Sequence, residues 1–340
     1  MARSTVYNDI VTEKEYNLVN QDNKDLLEEF VEYMQSIGRS ELTVIGYESD
    51  IRIYYIWNMR NNKNKDFHLI TKRSVMKYQN WLMNELGLSS SRVRRLRSAI
   101  SSMSNFIETV LDDDFPEFRN IVNKIPAPAS QPVREKTVFE DEELEELLAI
   151  LVEREYYQEA CALALAMYSG ARKAELTRFK VGYFKPEYIV HGSLYKSPEK
   201  ILSKGRGGKM STKYVLANGF KPYLDGWIKK REELGIENDY LFVTKSKDKW
   251  IQAKISTFDS WATRFNAMID KHFYWHSNRH FFTSGLAKAN VPAEVIKEII
   301  DWESVDMVSL YNDNGIDDEL SKYFGEDGIK QVEKKSLSDL

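Results

Sequence analysis

Residues 276–280, His276-Ser-Asn-Arg279-His280, place three cationic or titratable side chains within five positions. On a helix, His276 and Arg279 stand at i and i+3 and share a face. Such a pair suits a phosphate: the guanidinium grips two oxygens, and the imidazole gives or takes a proton. A solvated basic turn is the plainer alternative. A metal site is a weaker one, because the glutamate of a His-Glu-x-x-His helix is missing and carboxylates nearby are few. Two more stretches share this character. Tyr168-Ser-Gly170-Ala-Arg172-Lys-Ala-Glu175-Leu176 joins an apolar helix to another through a Ser-Gly turn. Arg172 then sits at a helix start, where an anion is welcome, although many helices begin this way. Lys204-Gly-Arg206-Gly-Gly-Lys209 reads as the basic tip of a hairpin, its glycines supplying the positive-φ positions of a tight turn. Taken alone it is a soluble turn.

Helices dominate the elements that must carry these groups. From Asn23 to Met34, the residues Leu26, Leu27, Phe30, Val31 and Met34 form one apolar stripe of period 3.6. A second run starts at Glu41 after Ser40, a third covers about Thr71 to Leu86, and a fourth follows the Ser89-Ser90 cap to about Leu111. In the fourth, Arg92, Arg94, Arg95 and Arg97 spread around the helix while Val93, Leu96, Ile100 and Met103 keep an inward stripe. Four of the eight prolines fall between Pro116 and Pro132, which reads as an extended linker. Beyond it, helical patterns cover about 140–152, 157–169 and 173–179. Short strands follow at Tyr188–Val190, Ile201–Leu202 and Lys213–Leu216; helices resume near 218, with one more strand at Leu241–Val243. The expected fold is mostly α with a small antiparallel β-sheet. Its expected parts are a tail at 1–19, a helical domain at 20–113, a proline-rich linker at 114–136, an α+β domain at 137–325 and a tail at 326–340.

The chain has 340 residues and 42% hydrophobic content, enough for two packed cores. It contains no apolar run long enough for a membrane span and no secretory leader pattern at its start, so a cytoplasmic protein is expected. A single cysteine, Cys161, rules out a disulfide framework. The net charge of −4 argues against a nucleic-acid partner, but its distribution argues the other way. Residues 51–100 carry 11 Lys/Arg against 2 Asp/Glu, and residues 171–280 carry 22 against 11. Two basic faces or ordinary solvated ones are both compatible with these blocks.

The three stretches occur in a telling order: Lys204 lies 32 positions after Arg172, and His276 lies 72 after Lys204. Trp302 follows, and Tyr311 stands nine residues beyond it. In this the chain resembles the tyrosine recombinase (phage integrase) family, whose boxes look like Gly-x-Arg-x-x-Glu-Leu, a hairpin lysine, His-x-x-Arg-His, and His or Trp nine residues before a tyrosine. The resemblance spans about 20–325. It implies a helical core-binding (SAM-like) domain followed by a catalytic domain, double-stranded DNA as partner, no metal and no cofactor. By the same resemblance Arg172 and Arg279 clamp the phosphate, His276 is the base, Lys204 the acid with Lys209 as competitor, and Tyr311 the nucleophile that forms a 3′-phosphotyrosyl bond. Trp302 packs against the site or donates its indole N–H. Arg92, Arg94, Arg95, Arg97, Arg206 and Lys209 are expected DNA contacts. The sequence departs from the pattern at Asp301-Trp302, where Gly-His is usual, at Asn278, usually apolar, and at Ser169, commonly threonine.

Three functions fit. The first is a site-specific recombinase of a mobile element, tetrameric on DNA. The second is a DNA-binding regulator, dimeric or monomeric, that keeps the fold without the chemistry; the acidity and Asp301 point that way. The third is a DNA-bridging protein.

Overall fold

The computed structural model describes residues 6–129, 137–203, 208–305, 324–325 and 328–329. Two compact units divide the chain, Met1–Glu135 and Lys136–Leu340. Both are mainly helical, and small antiparallel sheets occur in the second. No helix among the described residues is long and apolar enough to cross a membrane.

The first unit runs α1 (Val6–Ile10), α2 (Glu13–Tyr16), α3 (Gln21–Ser36), α4 (Glu41–Asn61), α5 (Lys72–Asn80) and α6 (Ser90–Val110). Asn20, Ser40, Thr71 and Ser89 each accept a backbone N–H from the first turn that follows, which sets where α3 to α6 begin. Helix α3 buries Leu26, Leu27, Phe30 and Met34. Helix α4 is buried on nearly every side through Ile51, Ile53, Tyr54, Tyr55, Ile56 and Trp57, so it forms the central rod of the unit. The stretch 1–19, expected as a tail, carries α1 and α2 and buries Ile10 and Val19. Two anchors so far apart leave no periodic signal to read. The helix expected over Thr71 to Leu86 changes winding at Trp81–Glu85, a π segment closed by the Leu86 N–H to the Trp81 carbonyl at 3.0 Å.

The second unit is built around α8 (Tyr157–Ser169), whose residues Glu159 to Met167 are all buried. Alanines at 160, 162, 164 and 166 let α7 (Asp141–Glu153), α10 (Ala217–Glu233) and α12 (Ser277–Lys288) come close to it, with Cys161 fully enclosed at its middle. Gly219 of α10 passes so near Tyr168 that an added Cβ would lie 2.2 Å from the ring. Strands β1 (Ile189–Val190), β2 (Leu194–Lys196) and β5 (Tyr214–Leu216) form one antiparallel sheet in the order β1-β2-β5. Between β2 and β5, β3 (Ile201–Leu202) pairs with β4 (Met210–Ser211) to make the base of the basic hairpin. The strand expected near Leu241–Val243 is half of a hairpin, β6 (Val243–Ser246) with β7 (Lys249–Gln252). Its lysines break the apolar alternation that would have announced it. Helices α9 (Lys173–Leu176), α11 (Ile255–Phe265) and α13 (Ala293–Ile300) complete the unit, and a strand pair, β8 (Phe324–Gly325) with β9 (Gly328–Ile329), lies near its end.

Part of the segment read as a linker packs onto the first unit. Val122 is buried, and Arg97 fastens the chain around it. Arg97 is 5% exposed; its Nη1 donates to the Pro126 carbonyl at 2.7 Å, and its Nη2 to those of Ile125 and Val122 at 2.6 and 3.0 Å. Arg94 donates in the same way to Pro128 at 2.7 Å. A proline-rich segment lacks N–H donors but keeps its carbonyls, and an arginine fork is suited to collecting them. Arg97, expected as a DNA contact, is placed here with its side chain buried and its guanidinium donating to the chain itself. Replacing it with alanine leaves three carbonyls without this donor, so Arg97→Ala is expected to destabilise the first unit by about 3 kcal/mol. Urea denaturation followed by tryptophan fluorescence checks this; a loss below about 0.5 kcal/mol would show that the staple contributes little.

Candidate active site

Helix α8 ends at Gly170, whose φ of +58° turns the chain into the left-handed region. A Cβ there would also meet Phe282 and Ile300 side-chain carbons at 2.7 Å, so both backbone and space demand glycine. Two residues later Arg172 forms the N-cap of α9. Its backbone N–H donates to Glu175 Oε2 at 2.8 Å, and its guanidinium Nη1 to Glu175 Oε1 at 2.9 Å and to the Ser203 hydroxyl at 2.8 Å. The Ser203 hydroxyl in turn donates to Glu175 Oε1 at 2.6 Å, and Lys213 Nζ stands 3.1 Å from the same oxygen.

Glu175 is 1% exposed. Burial alone would raise its carboxyl, but the Lys213 charge, the Ser203 and Arg172 hydrogen bonds and the Arg172 charge together hold it below its ordinary value. Burial pushes the Lys213 ammonium down, against the pull of Glu175 and Asp301. Asp301 ends α13 with φ +62°, a conformation that glycine takes most easily and that aspartate tolerates. Its carboxylate pairs with Lys209 at 2.6 Å and lies 4.0 Å from Lys213. Burial would raise Asp301, yet Lys209 and Lys213 bring it below the usual carboxylate value.

Arg279, on α12, is 1% exposed. Its Nη1 donates to the Gly170 carbonyl at 3.0 Å and its Nη2 to the Ile300 carbonyl at 2.7 Å, joining the C-terminal ends of α8 and α13. Those ends carry partial negative charge, which suits a buried cation. Trp302 is buried with Phe282, Ile296 and Ile300, its ring centroid 5.4 Å from the Arg279 guanidinium carbon. His276, at the N-cap of α12, keeps an exposed edge. Desolvation by its surroundings, then the charges of Arg279 and Arg172, lower its imidazole below the ordinary 6.5, so it is neutral at pH 7 and able to accept a proton.

The structure thus gathers Arg172, His276, Arg279 and Trp302 about one place and brings Lys209 to its edge through Asp301. Lys204, Arg206 and Tyr311 lie outside the described residues. Sequence reasoning quoted Glu175 without giving it a role, passed over Ser203 and Lys213, and treated Asp301 only as an unfavourable charge. Lys213 faces inward in the structure without a signal of its own in the sequence. Ser211, Lys213, Val215 and Ala217 alternate inward, with Thr212, Tyr214 and Leu216 between them, which places the lysine on the buried side of the chain entering β5.

Both shifts have a stability consequence of defined sign. The folded His276 binds its proton less readily than the unfolded one, so folding stability falls as pH drops through 6.5. The depressed Glu175 contributes stability above its ordinary 4.5 that is lost on further acidification. In urea titrations at stepped pH, His276→Gln is expected to flatten the decline around pH 6.5 and leave the lower one. Glu175→Gln is expected to lower stability at pH 7 by about 3 kcal/mol, since it leaves the buried Lys213 and the partly exposed Arg172 without their anion. An unchanged His276→Gln profile would remove the imidazole from this account.

Residues 137–316 match the model of the phage integrase family, and residues 26–117 match that of the phage integrase N-terminal SAM-like domain. The SPbeta prophage-derived recombinase-like protein YomM of Bacillus subtilis (strain 168) is 29% identical over 261 residues, 75% of this chain and 74% of that protein. A tyrosine recombinase of Thermosipho africanus (strain TCF52B) is 23% identical over 295 residues, 84% of this chain and 94% of that one. Among solved structures, the Tn1549 transposon integrase in complex with circular intermediate DNA superposes with a TM-score of 0.61 at 15% identity, covering 87% of this chain and 98% of its own. A lambda integrase dimer bound to a COC′ core site gives 0.61 at 16% identity, covering 92% and 99%. The structural likenesses establish a shared fold. With more than half of its length matched by the catalytic-domain model, in the order of boxes read from the sequence, this chain belongs to the phage integrase family.

Proposed function

We propose that the protein is a site-specific DNA recombinase of a mobile element, acting on duplex DNA through a covalent tyrosine intermediate. The observation that carries this reading is the convergence of Arg172, Arg279 and His276, groups suited to a phosphodiester transfer. Attack by the Tyr311 oxygen forms a bond to phosphorus and places negative charge on the non-bridging oxygens, where fixed cations lower the barrier. His276 takes the phenol proton; tyrosine, at a pKa of about 10, needs such help at neutral pH. The bond from phosphorus to the 5′ oxygen then breaks, and Lys204 supplies the proton that oxygen needs. The phosphotyrosyl ester keeps the energy of the broken diester, so rejoining by the reverse steps needs no cofactor. That the Tn1549 transposon integrase and lambda integrase were solved on DNA supports duplex DNA as the partner here, and by the same analogy a homo-oligomer assembled on it, in the cytoplasm.

One observation favours a second reading. The Asp301 carboxylate occupies Lys209 at the edge of the site, as a protein that holds DNA without cutting it could afford. A nicked duplex that traps the covalent complex separates the two. The expected result is a detergent-resistant protein–DNA adduct that disappears in Tyr311→Phe and forms at least about a hundredfold more slowly in Arg172→Ala. Sequence-specific binding without an adduct, identical in wild type and Tyr311→Phe, would establish the binding-only protein.

A further inference from the structure

In the first unit a buried carboxylate holds two arginines that remain partly in solvent. The Asp50 side chain, on α4, is 4% exposed; its Oδ1 lies 2.8 Å from Arg92 Nη1, and its Oδ2 accepts from Arg95 Nε at 2.9 Å. The arginine side chains, one turn apart on α6, are 34% and 47% exposed. Arg95 lies over the Tyr47 ring, 5.2 Å from its centroid, and passes Gly46 so closely that a Cβ there would come 2.8 Å from its Nη2. Three α4 residues, Gly46, Tyr47 and Asp50, therefore shape a seat for one arginine of α6. With Nε engaged, Arg95 Nη1 and Nη2 have no hydrogen-bond partner among the described residues.

This is a poor device for stability, because half-exposed ion pairs contribute little and burying Asp50 costs solvation. It is a good device for presentation. The side-chain freedom that an arginine ordinarily loses on binding is already given up, and the trio keeps one surplus positive charge. We propose that Asp50 is a positioning residue that fixes Arg92 and Arg95 on α6 and presets the Nη pair of Arg95 to take two adjacent acceptors of duplex DNA. The proposal rests on the recombinase reading above, which supplies the DNA. The two acceptors are oxygens of one phosphate or the O6 and N7 of a guanine.

The test uses the full chain, a duplex selected by the wild type from a random-sequence library, and a scrambled version of that duplex. Asp50→Asn keeps the shape of the side chain and removes one negative charge. Charge alone predicts equal or tighter binding. Positioning predicts about tenfold weaker binding to the selected duplex. Arg95→Lys, at an exposed position that keeps its charge, is the second variant and decides the matter should Asp50→Asn not fold; about tenfold weaker binding is again expected. Undiminished binding by Arg95→Lys, or by a folded Asp50→Asn, overturns the proposal. A loss confined to one G·C pair assigns a guanine, and an equal loss on both duplexes assigns a phosphate. Failure of the wild type to bind any duplex would instead overturn the recombinase reading, and this inference with it.

Discussion

Glu175 carries a negative charge to a place that solvent does not reach, and the geometry of the candidate site follows from what must gather around it. A carboxylate taken out of water costs several kcal/mol unless cations and donors replace the lost hydration. The replacements come from three parts of the chain: Arg172 from the same turn, Ser203 from just after β3, and Lys213 from just before β5. The basic hairpin between them is thus pinned at both of its roots to the residue that orients the site's first arginine. Removing the anion would free Arg172 and both roots of the hairpin together, leaving the hairpin its Lys209–Asp301 pair.

The same economy recurs. Asp50 serves Arg92 and Arg95, Glu175 serves Arg172 and Lys213, and Asp301 serves Lys209 with Lys213 at greater distance. Acids in these positions subtract from the net charge while organising the cations beside them. That is how a chain of net charge −4 belongs to a family of DNA-acting proteins. Net charge counts every acid as an opponent of an anionic ligand, whereas a buried acid holding two arginines directs positive charge outward.

Local patterns made much of this legible. Helices α3 and α6 showed themselves by the stripes at Leu26, Leu27, Phe30 and Met34 and at Val93, Leu96, Ile100 and Met103, and Ser40, Thr71 and Ser89 marked where helices begin. Arg172, His276 and Arg279 were legible because their spacing follows a family pattern. What stayed hidden depends on partners distant in sequence. Nothing within a window around Arg97 says that it will turn toward the carbonyls of Val122, Ile125 and Pro126 and leave the surface. Nor does a lysine at 213 announce an inward side chain until Glu175 is known to lie beneath it. Helices α1 and α2 escaped notice because each is only about one turn long and packs on α4, and β7 because Lys249-Trp-Ile-Gln252 sets its two apolar residues side by side.

The enclosure of Cys161 has a practical corollary. The thiol sits in the middle of α8, and burial pushes it well above its ordinary value, so little thiolate exists to react while the second unit is closed. It is also the one cysteine in the sequence, and the first unit has none. A thiol reagent therefore reports on opening of the second unit alone, amid whatever the first unit is doing. Labelling rates, with and without DNA, turn that single sulfur into a clock for how often the packing around α8 comes apart.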